Sequence, residues 1–401
     1  MKVLIINHFP LEGSGSGIYT QNLARELSER GNDVTVIYPE HEQREYKGFH
    51  SKVIKFNNGK GNDYDLDFNF PCFTTHPISN NTYYALDEKQ IQEYIDAFYK
   101  AAKEEIEKNR PDIIHAQHLW IAPYVASKFD IPYVVTAHGT DLKGFVKDER
   151  YHKYALEGAR KAKKIITISR QVDREVTELY GIADNKALVM NGYDENLFKP
   201  KVLDSKKTLE SFGINKVTDH IVSFAGKLAD FKGVDVLLKA AAIYEKKLNY
   251  NVTTILAGDG QLRETLLKLR EELNLKNVYF LGHVTQNQLV DLYNLADVST
   301  VPSRTEPFGL VAIEALACGT PVVGTNQGGL PDFITHKVGQ LVPVEDHEAL
   351  AQGIINEIFN DNKKERGEYC HYYAINNFSW KKSLEAVEKI YKEVMDLGGN
   401  K

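Results

Sequence analysis

Two glutamates and two lysines in the second half of the chain combine side chains that bind charged or polar groups with short spacings. Glu306 and Glu314 stand in "EPFGLVAIEALACGTPVV", where a Pro-Phe-Gly step separates the first carboxylate from an apolar helical pattern. Lys227 and Lys232 stand in "AGKLADFKGVDVLLKA", between a predicted strand and a predicted helix. Carboxylates accept hydrogen bonds from hydroxyl groups, and lysines neutralise phosphates. The four residues predict a pocket for a diphosphate that carries a sugar, with a solvated basic loop as the alternative for the lysines.

The helix that contains Glu314 offers further polar groups at its start. The pattern "LVAIEALA" predicts a helix from near Gly309 to Ala317. The first N–H groups, those of Phe308, Gly309 and Leu310, have no intrahelical partner and carry the positive end of the dipole, so they can bind a phosphate or a sugar oxygen. Burying an unpaired carboxylate on this apolar helix would be costly. A bound hydroxyl group would offset that cost for Glu314, and an internal ion pair is the alternative.

Glycines at the ends of predicted strands would let a ligand approach the backbone. "GSGSG" contains Gly15, Ser16 and Gly17 and lies between the first predicted strand and a helix expected to begin near Ile18. Because a helix start attracts anions, this loop is a candidate phosphate contact, and a flexible turn is the alternative. In the second half, "AGK" and "AGDG" place glycines at strand ends in the same way, and ordinary turns would also explain them. These glycines are Gly226, Gly258 and Gly260.

Histidines follow two other apolar strands. In "TAHGTDL", His138, Thr140 and Asp141 come directly after a strand, where open parallel sheets place their site residues. A turn residue is the alternative for His138. His115 and His118 in "HAQH" have a spacing that suggests zinc, but no nearby carboxylate or cysteine set supports a metal site.

Short β-branched runs alternate with helical patterns along the chain, which is typical of parallel sheets whose strands are joined by helices. The fold class is therefore α/β. The predicted strands are 2–7, 33–38, 112–116, 133–137, 164–169 and 187–191, and then 220–227, 252–260, 278–284, 296–303 and 320–325. Helices are predicted at about 17–30, 87–108, 149–162, 171–180 and 380–397.

The polar stretch 192–219 lacks strand periodicity and predicts a hinge between two Rossmann-like domains. We expect an N-terminal domain over 1–195, a C-terminal domain over 196–378 and a terminal helix over 379–401. The terminal helix could cap the second domain or cross back onto the first.

Composition excludes several classes of protein. The 401 residues are 42% hydrophobic and 26% charged, and no apolar run is long enough to span a bilayer. The net charge of −6 argues against a nucleic-acid partner. Cys72, Cys318 and Cys370 show no paired spacing, so reduced thiols and a cytoplasmic location are expected.

Four motifs, "GSGSGIYTQNLAREL", "HGTDL", "GKLADFKGVD" and "EPFGLVAIEA", resemble the retaining nucleotide-sugar glycosyltransferases of glycosyltransferase family 4. The resemblance covers nearly the whole chain. It implies the GT-B fold, in which two Rossmann-like domains with parallel sheets face each other across a cleft and a final helix returns to the first domain. The N-terminal domain would bind the acceptor and the C-terminal domain the nucleotide-sugar donor.

The resemblance also implies roles for the second-domain residues. Glu314 would hold the ribose hydroxyls, and Glu306 the hydroxyls of the donor sugar. Lys227 and Lys232 would neutralise the diphosphate, and the backbone amides of 308–310 would complete the donor site. Lys227 stands where many relatives carry arginine, which keeps the charge but loses the bidentate geometry of a guanidinium.

In the first domain, the resemblance implies that His138 contacts the donor sugar near the reacting carbon. Gly15 to Gly17 would approach the phosphates. No cofactor or metal is expected, and the implied reaction retains the configuration of the sugar. "NDYDLD" offers spaced aspartates that could chelate a metal, but it is predicted to lie in a polar loop. A sugar-nucleotide epimerase, a non-catalytic nucleotide-sugar binding protein and, less well matched in chain length, a phosphorylase are the alternatives.

The acceptor is not predicted beyond a sugar, a small molecule or a lipid-linked compound. Its binding would be set by the first domain, where the aromatic and polar segment 57–85 is a candidate acceptor loop or a surface excursion. The basic stretch "RKAKK" at 160–164 raises peripheral contact with the inner face of a membrane as an alternative to a solvated surface. The nucleotide of the donor is expected to be UDP, with ADP and GDP as alternatives.

Overall fold

Contacts group the chain into two compact units. A computed structural model of the protein describes residues 1–74 and 76–398. Unit 1 contains Met1–Asn191 and the chain from Ser383 onward, and unit 2 contains Gly192–Lys382. Each unit is built around its own parallel sheet.

Unit 1 contains strands β1 to β7 and helices α1 to α6. The strands are β1 (Lys2–Ile6), β2 (Asp33–Glu40), β3 (His50–Lys55), β4 (Ile113–Gln117), β5 (Tyr133–Ala137), β6 (Lys164–Thr167) and β7 (Lys186–Leu188). The helices are α1 (Gly15–Glu29), α2 (Glu88–Asn109), α3 (Ala122–Ala126), α4 (Thr140–Lys147), α5 (His152–Lys161) and α6 (Arg170–Tyr180). In the described part of the chain the sheet has seven parallel strands in the order β3-β2-β1-β4-β5-β6-β7.

Unit 2 contains strands β8 to β13 and helices α7 to α13. The strands are β8 (His220–Ala225), β9 (Val252–Ala257), β10 (Val278–Gly282), β11 (Val298–Val301), β12 (Val322–Thr325) and β13 (Gly339–Val342). The helices are α7 (Ser205–Ser211), α8 (Val234–Lys247), α9 (Arg263–Glu272), α10 (Gln286–Leu295), α11 (Leu310–Ala317), α12 (His347–Ile358) and α13 (Lys363–Phe378). Across the described residues its sheet has six parallel strands in the order β10-β9-β8-β11-β12-β13.

Both sheets owe their central strands to continuous apolar runs. All five residues of β4 and of β5 are buried, as expected for parallel strands covered by helices on both faces. In unit 2, β8 and β9 pack against α8 through a core that includes Phe224, Leu237 and Leu256. The predicted α/β class and the parallel sheet in each half of the chain are confirmed.

The last helix, α14 (Trp380–Gly398), starts in unit 2 and packs on unit 1 from Ser383 onward. Its Tyr391 hydroxyl lies 2.6 Å from Nδ1 of His115 on β4, and Arg30 donates a 3.2 Å hydrogen bond to Glu388. The expected limits 1–195, 196–378 and 379–401 stay predictions, and residues 399–401 lie outside the described chain.

Several elements were missed because their patterns are weak. The edge strand β3, "HSKVIK", mixes polar and apolar residues, since one side of an edge strand is open to water. The stretch 192–219, predicted only to lack strand periodicity, contains a short helix that the sequence pattern did not indicate. There, α7 begins after Asp204, whose side chain accepts a 3.1 Å hydrogen bond from the Lys207 amide, but it buries only Leu209.

Candidate active site

Two loops of unit 2 leave the sheet side by side at the point where the strand order changes direction. The strands β8 and β11 are neighbours, although they are distant in the sequence. The loop after β8 carries Lys227 and Lys232, and the loop after β11 carries Glu306. In open parallel sheets, ligands bind outside the carboxyl ends of the strands at such a switch point. The topology therefore brings three of the predicted site residues to one edge of the sheet.

Lys232 and Glu306 form an ion pair at this edge. The Lys232 ammonium donates a 2.6 Å hydrogen bond to Oε2 of Glu306, and Ser303 Oγ donates to the same oxygen at 3.2 Å. Glu306 is only 7% exposed, so these two donors offset the cost of burying its charge. Sequence analysis did not assign Ser303 a role, although it stands three residues before Glu306 in "VPSRTEPFGL".

Lys227 is exposed at the tip of β8, directly after Gly226. The Gly226 amide donates to the Ala257 carbonyl oxygen at 2.9 Å, which ties this tip to β9. Gly258 has a φ of 136°, and a Cβ there would lie 1.9 Å from the Gly226 carbonyl oxygen. Gly226 and Gly258 therefore serve a close approach of two strand ends, and this packing fixes the position from which Lys227 projects.

Helix α11 presents its N-terminus beside Glu306. Its N-cap residue Gly309 has a φ of 99°, and no described side chain caps the helix. A Cβ on Gly309 would lie 3.5 Å from Cγ of Glu306, which shows how close the two residues are. Phe308 is buried and packs on Phe333 at a ring-centroid distance of 5.9 Å. The amides of Phe308, Gly309 and Leu310 thus form a fixed, positively polarised end that favours an anion.

Glu314 lies on the partly exposed face of α11 together with Leu310 and Val311. Burial raises the pKa of its carboxyl to about 8, and the nearby Tyr293 hydroxyl of α10 partly offsets that rise. Within the residues that the structure describes, no lysine, arginine or histidine forms an ion pair with Glu314. The internal ion pair considered from the sequence is therefore not formed, and the carboxyl keeps its capacity to bind hydroxyl groups.

Two glycines that sequence analysis did not single out pack against Glu306. The Gly329 amide donates a 2.9 Å hydrogen bond to the Glu306 carbonyl oxygen. Gly328 has a φ of 68°, and a Cβ on it would lie 1.8 Å from the same oxygen. Adjacent glycines after the predicted strand at 320–325 are the sequence signal that could have identified this contact.

In unit 1, the predicted start of the helix that follows the first strand was wrong. Helix α1 begins at Gly15 and not near Ile18, because the Ser14 hydroxyl accepts a 3.0 Å hydrogen bond from the Gly17 amide and caps the helix. Gly15, Ser16 and Gly17 therefore form the first helical turn. A Cβ on Gly17 would lie 2.1 Å from the Pro10 carbonyl oxygen, so this glycine also serves packing.

His138 follows β5 and is held by unit 1 itself. Its Nε2 lies 2.8 Å from Oε1 of Gln117, and its backbone amide donates to Asp141 at 3.2 Å. Burial lowers the pKa of His138 to about 3, so its imidazole is neutral. Asp141 also accepts a 2.7 Å hydrogen bond from the Leu119 amide and is fully buried. Asp141, like Thr140, lies in the first turn of α4, where its carboxylate anchors the strand ends.

His115 in β4 and His118 directly after it do not form a zinc site. Both ring nitrogens of His115 are engaged, with the Tyr391 hydroxyl at 2.6 Å and the Thr136 hydroxyl at 2.7 Å. The ring of His118 lies 4.6 Å from that of His138 between centroids, and His118 has a φ of 70°. Throughout residues 1–74 and 76–398, no group of three or more His, Cys, Asp and Glu is arranged to hold a metal ion.

The aspartates of "NDYDLD" each have a protein partner. Asp63 pairs with the Lys55 ammonium at 2.5 Å, and Asp65 accepts from the Lys55 amide at 2.8 Å. Asp67 accepts from the Asn57 side chain at 2.6 Å. Through these contacts the stretch packs against the end of edge strand β3.

The rest of segment 57–85 packs within unit 1, apart from Thr75, which lies outside the described residues. His76 Nε2 lies 3.0 Å from the Glu12 carbonyl oxygen, so the segment reaches the loop before α1. In the basic stretch 160–164, Lys161 pairs with Glu157 at 2.7 Å. None of the described helices combines the length and apolar character needed to cross a bilayer.

Family comparisons cover both units. The model described as Glycosyltransferase Family 4 matches residues 13–197, and the model described as Glycosyl transferases group 1 matches residues 205–377. A D-inositol 3-phosphate glycosyltransferase of Saccharomonospora viridis is 30% identical to the chain, over 71% of the chain and 70% of that protein.

Solved structures show the same fold over the full length. Sucrose-phosphate synthase of Thermosynechococcus elongatus superposes with a TM-score of 0.77 at 22% identity, covering 99% of this chain and 100% of that one. Anabaena HepE in complex with UDP-glucose gives a TM-score of 0.74 at 21% identity, covering 98% and 100%. The predicted fold and family are confirmed: the chain belongs to the group 1, family 4 glycosyltransferases and is a hexosyltransferase with the GT-B fold.

Proposed function

We propose that the enzyme is a retaining, metal-independent hexosyltransferase that takes its sugar from a nucleoside diphosphate sugar and transfers it to an acceptor hydroxyl. The observation that carries this proposal is the Lys232–Glu306 ion pair at the switch point of the unit 2 sheet, with a separation of 2.6 Å. The pair supports the proposal because the Lys232 cation could bind a phosphate and the Glu306 carboxylate could bind sugar hydroxyls. The uncapped start of α11 lies beside them.

The proposed catalysis is electrostatic. Glycosyl transfer passes through an oxocarbenium-like state while negative charge collects on the departing diphosphate. Lys227, Lys232 and the amides of 308–310 stabilise that charge in fixed positions, so little reorganisation is needed during the reaction. Glu306 binds hydroxyls of the donor sugar, and Glu314 binds the ribose.

Retention is proposed to follow from attack on the same face of the sugar. The acceptor oxygen forms its bond to the anomeric carbon as the bond to the donor phosphate breaks, and a phosphate oxygen takes the acceptor proton. This route needs no covalent nucleophile from the protein. Mass spectrometry of the enzyme mixed with a slow fluorinated donor tests it: no glycosyl adduct is expected, and an adduct on an acidic side chain would replace the same-face route.

UDP is proposed as the nucleotide because the solved structure of Anabaena HepE contains UDP-glucose on the same fold. A thermal-shift measurement with UDP, GDP and ADP, each with EDTA, tests both the base and metal independence. One nucleotide is expected to raise the melting temperature of the wild type and not that of Glu314→Ala. Glu365→Ala, which removes an exposed glutamate of α13, is the control and should respond as the wild type does.

A response that appears only when manganese replaces EDTA would contradict metal independence. If a nucleotide sugar binds but yields no nucleoside diphosphate with any acceptor or with water, the chain is a nucleotide-sugar binding protein. If a new nucleotide sugar forms instead, the chain is an epimerase.

The roles of the unit 1 residues stay predictions. His138 is proposed to contact the donor sugar, and Gly15 to Gly17 its phosphates, as the family resemblance implies. A neutral His138 can donate or accept a hydrogen bond but carries no charge toward the sugar.

A cytoplasmic location and peripheral membrane contact through 160–164 are likewise proposals. Fractionation of cells that express the wild type and Lys161→Glu would test them.

A further inference from the structure

We propose that Arg304 is a positioning residue of the donor site: its guanidinium holds the turn that carries Lys232 against the loop that carries Glu306. This inference rests on the proposed function, because Lys232 and Glu306 are taken there as donor contacts. Arg304 itself touches neither the diphosphate nor the sugar in this scheme. It acts through the position of Lys232.

The backbone of Arg304 joins the two loops. Lys232 ends the 3-10 turn Asp230–Lys232 after β8. The amides of Arg304 and Thr305 both donate to the Phe231 carbonyl oxygen, at 2.9 and 3.3 Å. Phe231 directly precedes Lys232, and Thr305 directly precedes Glu306. The shared carbonyl therefore sets the separation of the two charged residues from one residue away on each side.

The Arg304 side chain clamps the same turn. Nη1 donates to the Asp230 carbonyl oxygen at 2.6 Å, and the pair Nη1 and Nη2 donates to the two carboxylate oxygens of Asp235, each at 2.9 Å. Nε and Nη2 donate to the two carboxylate oxygens of Glu345. All five guanidinium N–H groups are thus used. Lysine has three donors on a single atom and cannot reproduce two bidentate contacts.

The two loops touch again on the far side of Lys232. Gly233 has a φ of 63°, and a Cβ on it would lie 2.0 Å from the Pro302 carbonyl oxygen. With this contact on one side and the Arg304 clamp on the other, the turn has little room to move. Loss of the clamp frees one side of the turn, and the Lys232 ammonium loses its fixed position.

The test compares nucleotide affinities by calorimetry with UDP and UMP, GDP and GMP, and ADP and AMP. The preference for the diphosphate over the monophosphate of the same base reports on the phosphate contacts, whereas general destabilisation affects both affinities. Arg304→Lys is expected to reduce this preference by about tenfold, the size of one charge-assisted hydrogen bond. Lys232→Ala should reduce it at least as much. The double variant should match Lys232→Ala, since a positioning residue has nothing left to position.

Arg366→Lys is the matched control. Arg366 also makes a bidentate ion pair in unit 2, to Glu357 at 2.7 and 2.6 Å, but on α13. It should retain the wild-type preference. Asp235→Asn weakens the Arg304 clamp without removing the arginine, and it serves as the test if Arg304→Lys does not fold. Asp235→Asn, like Arg304→Lys, should lower the preference for the diphosphate over the monophosphate.

Four outcomes would overturn the inference. A wild-type preference in Arg304→Lys or, in its place, in Asp235→Asn would show that the clamp does not position Lys232. Additive losses in the double variant would show that Arg304 acts independently of Lys232. If no nucleotide binds the wild type, or if Lys232→Ala keeps the full preference, the proposed donor site fails and the inference fails with it.

Discussion

At the scale of single residues, the donor site depends on charges whose partners are few. Glu306 has Lys232 and Ser303 as side-chain donors, whereas Glu314 has the Tyr293 hydroxyl nearby but no ion pair among the described residues. Ionising a half-buried carboxyl group is costly without such partners. Ligand hydroxyls would supply the missing hydrogen bonds for Glu314, so the two glutamates should respond differently to mutation.

Removing the Lys232 side chain should lower the free energy of unfolding, independently of any effect on catalysis. Lys232→Ala leaves the Glu306 carboxylate buried, with Ser303 as the side-chain donor that remains among the described residues. The expected loss is about 1–3 kcal/mol of unfolding free energy. Chemical unfolding with urea measures it. Lys232→Ala combined with Glu306→Gln should recover most of the loss, and no recovery would mean that the pair does not stabilise the fold.

Glu314 predicts a pH dependence of stability. Its pKa is raised from 4.5 to about 8 by burial, so the folded state holds more protons than the unfolded state between these values. This contribution to stability is present in full below about pH 4.5 and is lost as pH rises through about 8. Glu314→Gln cannot ionise and should become more stable relative to the wild type as pH increases from 5 to 9.

Melting curves across that pH range measure the difference between the two proteins. Glu365→Gln, an exposed glutamate on α13, is the control and should follow the wild type at every pH. A constant difference between Glu314→Gln and the wild type would mean that the Glu314 carboxyl does not titrate in this range.

At the scale of elements, the site is made by loops that the sheet order brings together. The strands β8 and β11 pair in parallel, with Ser299 opposite Ser223, and this pairing places the Lys232 turn beside Glu306. The local sequence pattern predicted correctly that each of these loops follows the end of a strand. They could not predict which strand ends are neighbours, since strand order depends on contacts distant in the sequence.

The close contact of Gly328 with the Glu306 loop can be tested by substitution. Gly328→Ala would add a methyl group 1.8 Å from the Glu306 carbonyl oxygen and displace the loop that holds the carboxylate. The melting temperature should fall and the nucleotide-induced shift should weaken. Gly213→Ala is the matched control, because Gly213 has a similar φ of 76° but no atom within 4 Å of the added Cβ. Equal responses of the two variants would exclude steric contact with Glu306 as the cause.

How far the sequence predicts the fold depends on the strength of each local pattern. Apolar strands such as β1 and β4 are evident because both faces are buried, and α2 is evident from its Asp87 capping box. The start of α1 was missed because the Ser14 cap stands within a glycine-rich stretch that favours a loop. Arg304 was missed for a different reason, since its partners Asp230, Asp235 and Glu345 become neighbours only in the folded unit.

At the scale of the whole molecule, α14 joins the end of the chain to unit 1. Its apolar face is buried there, and Tyr391 is completely buried. The buried residues of this face are Leu384, Val387, Ile390, Tyr391 and Val394. Stability of unit 1 should therefore depend on residues more than 180 positions away from β7, a dependence that no local pattern predicts.

Tyr391→Phe tests whether unit 1 depends on α14 for stability, and it removes only one hydroxyl group. It leaves Nδ1 of the buried His115 without its hydroxyl partner, which should cost about 1–3 kcal/mol of unfolding free energy. Tyr372→Phe, at an exposed tyrosine on α13, is the control and should change little. Calorimetric melting of the three proteins measures the effect, and equal melting temperatures would show that the His115–Tyr391 contact does not stabilise unit 1.

The most direct test of the donor site is the crystal structure of the protein with the nucleoside diphosphate that raises its melting temperature most. We expect the diphosphate within hydrogen-bonding distance of Lys232 and the amides of 308–310, with both ribose hydroxyls at Glu314. Nucleotide density elsewhere, with Lys232 still paired only to Glu306, would contradict the assignment of this edge of the unit 2 sheet as the donor site.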